Sequence, residues 1–147
     1  MSPIGRRHAA FVATLTQLLI QRLAGLAIVF IQSPVALADD TEPQPDLAVV
    51  RRREPPYKER EAWAEDVLLL VEVAESSLRY DRTTKLRLYA EAGIPEYWIV
   101  DCITESIEVY RNPSPEGYRN VTRAANAAMV APQAFPDVEL TLAEIFA

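Results

Sequence analysis

The chain has 147 residues, the length of one domain, and half of them are apolar with 24% charged, which excludes a disordered or fibrous protein. Fifteen basic residues against twenty-one acidic ones give a net charge of -6, so any attraction to a polyanion must come from a local patch. Cys102 is the single cysteine and His8 the single histidine, which excludes an internal disulfide and cysteine- or histidine-rich metal sites. A metal would need carboxylates. Thirteen of the fifteen cations are Arg, the better phosphate fork, and Lys occurs only at Lys58 and Lys85.

Arg6 and Arg7, an apolar stretch over residues 9–31 and Ala36-Leu37-Ala38 copy the outline of a secretory signal. Thr14, Thr16, Gln17, Gln21 and Arg22 interrupt that stretch at helical spacing, so neither a signal core nor a membrane span is expected. Phe11, Leu15, Leu18, Leu19 and Leu23 instead form the buried stripe of an amphipathic helix, which Gly25 terminates. His8, at the mouth of that helix, reads as a capping or surface residue. The expectation is a cytoplasmic protein that does not engage a membrane.

Residues 26–32 read as a strand, residues 39–45 as a proline-rich connector and residues 47–50 as a second strand. Arg51, Arg52 and Arg53, followed by Pro55-Pro56, form a basic loop, and residues 59–65 suggest a helical turn. Residues 67–74 are apolar on both faces, as in a central strand covered by helices. A helix over residues 81–92 follows, with caps available at Ser76, Ser77 and Asp81 and a stop at Gly93 and Pro95. Residues 97–102, 107–111 and 118–123 read as three further strands, and Thr141 caps a last helix over residues 142–146. Trp63, Trp98, Tyr97 and Tyr110 lie in or beside apolar strands and are expected to pack rather than stack on bases. The order predicts an α/β (α+β) fold, a mixed sheet flanked by helices.

One residue violates the central strand. By parity Glu72 shares a face with Leu68, Leu70 and Ala74, and an unpaired carboxylate there costs several kcal/mol, so it needs a cationic partner or a metal. Asp46 opens the preceding strand, twenty-six residues earlier, close enough for two strands to pair and for two carboxylates to hold a hard divalent cation. Lys85 falls early in the next helix, where its amine can return over the strand end and stabilise developing negative charge. Taken singly, Asp46 is also a turn residue, Lys85 a solvated one, and Glu72 half of a structural ion pair.

Pro45-Asp46, Glu72-Val73-Ala74-Glu75-Ser76-Ser77, Tyr80-Asp81-Arg82, Lys85-Leu86, Tyr89, the run Ala92-Gly93-Ile94-Pro95-Glu96-Tyr97-Trp98-Ile99-Val100-Asp101 and Val109-Tyr110-Arg111 together resemble the Uma-type restriction endonuclease family. That family is a branch of the PD-(D/E)XK nuclease superfamily, and the resemblance extends over nearly the whole chain. It implies a restriction-endonuclease-like domain over residues 1–147 that hydrolyses phosphodiester bonds in nucleic acid, DNA before RNA. Asp46 and Glu72 map onto the acidic pair that holds Mg2+ (or Mn2+). The superfamily's usual Lys lies two residues after the Glu, where this chain has Ala74, so Lys85 is assigned as the displaced lysine. Arg51, Arg52, Arg53 and Arg82 are the candidates for phosphate contacts. Similar proteins carry a further helix and hairpin upstream, and without them an apolar sheet edge would favour a homodimer. The competing reading is a nuclease-fold interaction module without catalysis, which Ala74 favours.

Overall fold

The computed structural model describes residues 5–53, 57–58 and 61–147. The amphipathic stripe near the N-terminus forms α1 (Arg6–Arg22), which buries Phe11, Val12, Leu15 and Leu19 and ends before Gly25 at φ +80°. Five short segments follow: β1 (Ala27–Ile31), β2 (Val35–Ala36), β3 (Leu47–Arg51), β4 (Ala62–Trp63) and a single 3-10 turn, Ala64–Asp66. The central strand β5 (Val67–Ala74) has the bounds that its apolar run predicts. The next helix begins earlier than its sequence suggests: α2 (Leu78–Tyr80) leads through a π-helical segment, Asp81–Lys85, into α3 (Leu86–Glu91). Gly93, at φ +77°, closes it.

Three long strands complete the main sheet, β6 (Glu96–Asp101), β7 (Ser106–Ser114) and β8 (Gly117–Ala125). A small pair, β9 (Met129–Val130) and β10 (Leu140–Thr141), precedes α4 (Leu142–Phe146). Thr141 caps α4, its hydroxyl accepting the Glu144 N–H while the Glu144 carboxylate returns to the Thr141 N–H.

The main sheet runs β1-β3-β5-β6-β7-β8. Only β5 and β6 are parallel, and the helical connection between them supplies the crossover that parallel strands need. Helices cover both faces. On one, Leu15, Leu19 and Leu23 pack with Leu47, Val71, Trp98 and Ile145, each fully buried. On the other, Tyr89 and Ile94 pack with Leu70, Tyr97 and Ile99. Each such side chain contributes roughly 1.5–3 kcal/mol of burial free energy. Trp98, Tyr97 and Tyr110 are core residues, as expected; Trp63 is half-buried.

Two local readings need correction. Leu68 does not share Glu72's face. Val49 pairs with Leu69 and Val50 with Val67, so Leu68 is the extra residue of a β-bulge, and it packs on the α1 side. The helical turn expected over residues 59–65 is confined, among the described residues, to Ala64–Asp66; residues 59–60 lie outside them, and Ala62–Trp63 extends to pair in parallel with β2.

Candidate active site

The register of the sheet sets out one row of side chains. Leu47 pairs with Val71, which brings Asp46, the residue before β3, opposite Glu72. Glu72 pairs with Ile99, Ile99 with Glu108, and Glu108 with Arg123. Two carboxylates, Glu72 and Glu108, therefore sit on the same face two strands apart, under the helix that follows β5. The π-helical segment of that helix carries two cations three residues apart, Lys85 over Glu72 and Arg82 over Glu108. Such π insertions recur at functional sites because they re-aim side chains within a continuous helix.

Glu72 is 2% exposed. Lys85 Nζ donates to its Oε2 at 2.9 Å and the Tyr89 hydroxyl donates to the same oxygen at 2.6 Å. The Asp46 N–H donates to Oε1 at 3.3 Å. Burial pushes the Glu72 carboxyl up to about 7, against the pull of Lys85 and Tyr89 and with the help of the Asp46 charge. Burial pulls the Lys85 ammonium down, but Glu72, Asp81 and Asp46 outweigh it and its pKa is raised. Lys85 therefore remains a cation. Asp81 adds a third carboxylate, 3.9 Å from Lys85 Nζ, with the Ser77 hydroxyl donating to it at 2.8 Å; burial raises its pKa against both partners.

Asp46 is anchored to the neighbouring strand, its Oδ2 accepting the Val73 N–H at 2.8 Å. His8 Nε2 lies 3.2 Å from the same oxygen. Oδ1 takes no hydrogen bond among the described residues, and the side chain is 15% exposed, so one hard oxygen is available. Among the described residues no group of three or more His, Cys, Asp or Glu side chains could hold a metal ion. Mg2+ does not require one, because it commonly binds through one or two carboxylates and keeps several waters. The candidate oxygens for such an ion are Asp46 Oδ1 and those of Glu72, both of which already accept hydrogen bonds.

The three residues assigned from the sequence, Asp46, Glu72 and Lys85, are thus brought together. The arginines are not. Arg51 lies at the far end of β3 from Asp46, roughly 17 Å away at about 3.4 Å per residue. Its guanidinium donates to the Glu65 carbonyl at 2.8 Å, and Arg53 pairs with Asp66 at 2.8 Å. Arg52 is exposed. Arg82 stands beside the site, with Nε donating to both Glu108 oxygens at 3.1 and 2.9 Å and Nη2 also on Oε2.

Sequence reasoning missed Tyr89 as a partner of Glu72 and His8 as a partner of Asp46. Tyr89 carried a signal, since it lies four residues after Lys85 and one helical turn places the two over the same spot. His8 carried none.

A family model described as "Uma2: Putative restriction endonuclease" matches residues 1–143. The chain belongs to that family. Among solved structures, one described as a putative nuclease belonging to DUF820, from Anabaena variabilis, is similar at 17% identity with a TM-score of 0.76. The similarity covers 99% of this chain and 83% of that one, and it establishes the nuclease-like fold. No curated protein matches. No helix among the described residues is long and apolar enough to cross a membrane.

Proposed function

We propose that this Uma2-family chain is a Mg2+-dependent endonuclease that hydrolyses phosphodiester bonds in DNA. The observation that carries the reading is the convergence of Asp46, Glu72 and Lys85, from β3, β5 and the π-helical segment, on one end of the sheet. Asp46 and Glu72 would hold the ion, which when bound supplies a Lewis acid and lowers the pKa of a coordinated water. Lys85 replaces the lysine absent at Ala74: its ammonium reaches Glu72 from the helix and stabilises the negative charge that develops on the phosphate. Tyr89 donates to the same Glu72 oxygen and fixes that carboxylate. The reading places the enzyme in the cytoplasm and assigns a phosphate contact to Arg82, which borders the site, whereas Arg51, Arg52 and Arg53 stand at the far end of β3. Strand β1 pairs with β3 on one side and has no strand on the other among the described residues; with Ile28 and Ile31 37% and 44% exposed on it, that edge supports a homodimer.

The test is cleavage of supercoiled plasmid by the purified chain with Mg2+ or Mn2+, against EDTA and against Glu72→Gln. Metal-dependent cleavage that Glu72→Gln abolishes supports the enzyme. A second reading, an interaction module that keeps the fold without catalysis, is favoured by the buried Ala74 and by the donors that already occupy both Glu72 oxygens. A well-folded wild-type chain that cuts nothing with either metal selects it.

A further inference from the structure

Helix α1 begins with no side-chain cap and no acidic residue in its first turn. Glu75, one residue beyond β5, makes up the deficit from across the fold: its Oε2 accepts the His8 N–H at 3.1 Å, where an N-terminal carboxylate is favoured. Gly5 permits this approach, because a Cβ there would fall 1.7 Å from Glu75 Oε1 and displace the carboxylate. The docking holds the first turn of α1 against the end of β5 and puts the imidazole, whose side chain is 17% exposed, on Asp46.

The hydrogen bonding of the ring assigns its tautomer. An ionised carboxylate only accepts, so Nε2, 3.2 Å from Asp46 Oδ2, carries the proton and donates. Nδ1 is buried and has no partner among the described residues. Asp46 Oδ2 then has two donors, the Val73 N–H and the His8 ring, while Oδ1 has none among the described residues.

Resting on the nuclease reading above, we propose that His8 is a positioning residue of the same site: from α1 it fixes the Asp46 carboxylate so that Oδ1 is presented to a divalent cation. Groups that hydrogen-bond a metal-ligating carboxylate set its orientation, and removing them typically costs about 10–100-fold in metal affinity or activity. His8 acts through Asp46 and touches neither water nor phosphate in the reaction. Glu75 and Gly5 are the foundation that keeps the ring in place.

The experiment titrates Mn2+ into the wild-type chain, His8→Ala and His8→Gln, following free Mn2+ by electron paramagnetic resonance, with thermal melts and plasmid cleavage on the same samples. The expected result is a Mn2+ affinity about tenfold or more weaker in His8→Ala. kcat should fall with an unchanged KM for DNA, and His8→Gln, whose amide nitrogen can donate from the same distance, should recover most of both. If His8→Ala does not fold, His8→Gln against His8→Met makes the same comparison between a donor and no donor. Equal Mn2+ affinity in wild type and the donor-less variant overturns the positioning role while leaving the nuclease reading intact. A wild-type chain that neither binds Mn2+ nor cuts DNA overturns both.

Discussion

Glu72 and Glu108 occupy the same row and face of one sheet, and each receives a cation from the helix above and a tyrosine hydroxyl: Lys85 and Tyr89 for the first, Arg82 and Tyr110 for the second. Their acidities nevertheless move in opposite directions. Burial raises Glu72 to about 7, whereas at Glu108 burial is outweighed by the Arg82 and Tyr110 hydrogen bonds and the pKa is lowered. Burial is the larger cause, since Glu72 is the more deeply buried of the two, and the geometry of the cation adds to it. Arg82 offers a planar fork that engages both oxygens of Glu108, while the Lys85 ammonium reaches one oxygen of Glu72. A like charge acts on both, Asp46 on Glu72 and Asp101 on Glu108, and raises the pKa of each. Both carboxylates are hydrogen-bonded by their own protein, and it is the proton affinity, raised at Glu72 and lowered at Glu108, that separates them.

The largest effect that tests this distinction is on cleavage. Glu72→Gln should reduce plasmid cleavage by at least about a hundredfold, whereas Glu108→Gln in a folded sample should retain most of it. Equal losses in the two variants would erase the difference. Lys85→Ala should follow, with about a hundredfold loss in kcat. Lys85→Arg would show whether charge alone suffices or whether the compact ammonium is needed, read from single-turnover rates.

The two carboxylates should also separate in the pH dependence of stability, measured by thermal melts between pH 3 and 8 in EDTA. Glu72 is raised from 4.5 to about 7, so the folded state binds its proton more tightly than the unfolded chain does. Its contribution is full below about 4.5 and is lost as pH rises through about 7, a change on the order of 3 kcal/mol. Glu108 is lowered, so its contribution is present above 4.5 and is lost as pH falls through its folded value. Glu72→Gln should therefore flatten the upper window and Glu108→Gln the lower one. Flattening of the upper window by Glu108→Gln would reverse the assignment. The smallest effects are expected from Arg82→Ala, whose side chain is 44% exposed, and Tyr110→Phe, each about 1 kcal/mol in urea melts at pH 7.

Much of this architecture is legible in short windows. The apolar run fixes β5 to the residue, the three-four spacing gives α1, and Gly25, Gly93 and Thr141 end or begin helices as their backbone chemistry requires. What fails is whatever depends on a partner strand or a distant group. Leu68 changes face because the bulge arises from how β5 meets β3, which no alternation within β5 records. The helix starts at Leu78, with Ser77 at the N-cap position, and Asp81 falls inside a π-helical segment where its carbonyl accepts the Tyr97 hydroxyl, a contact from β6 that no local window records. Arg51 and Arg53 look like a free basic loop in sequence, yet one donates to a carbonyl and the other pairs with Asp66.

The sequence by itself determined that a carboxylate stood inside an apolar strand at Glu72, that it needed compensation, and that Asp46 and Lys85 were within reach, because burial and periodicity are local properties of the chain. It could not separate Glu72 from Glu108, an equally acidic residue between Ile107 and Val109, nor connect His8 to Asp46 across 38 residues. Only the tertiary structure decided those, since the proton affinity of a buried carboxylate depends on which cation reaches it, through how many hydrogen bonds, and what other charge lies beside it. Those distances are set by the register of the sheet and by the path of one helix across it.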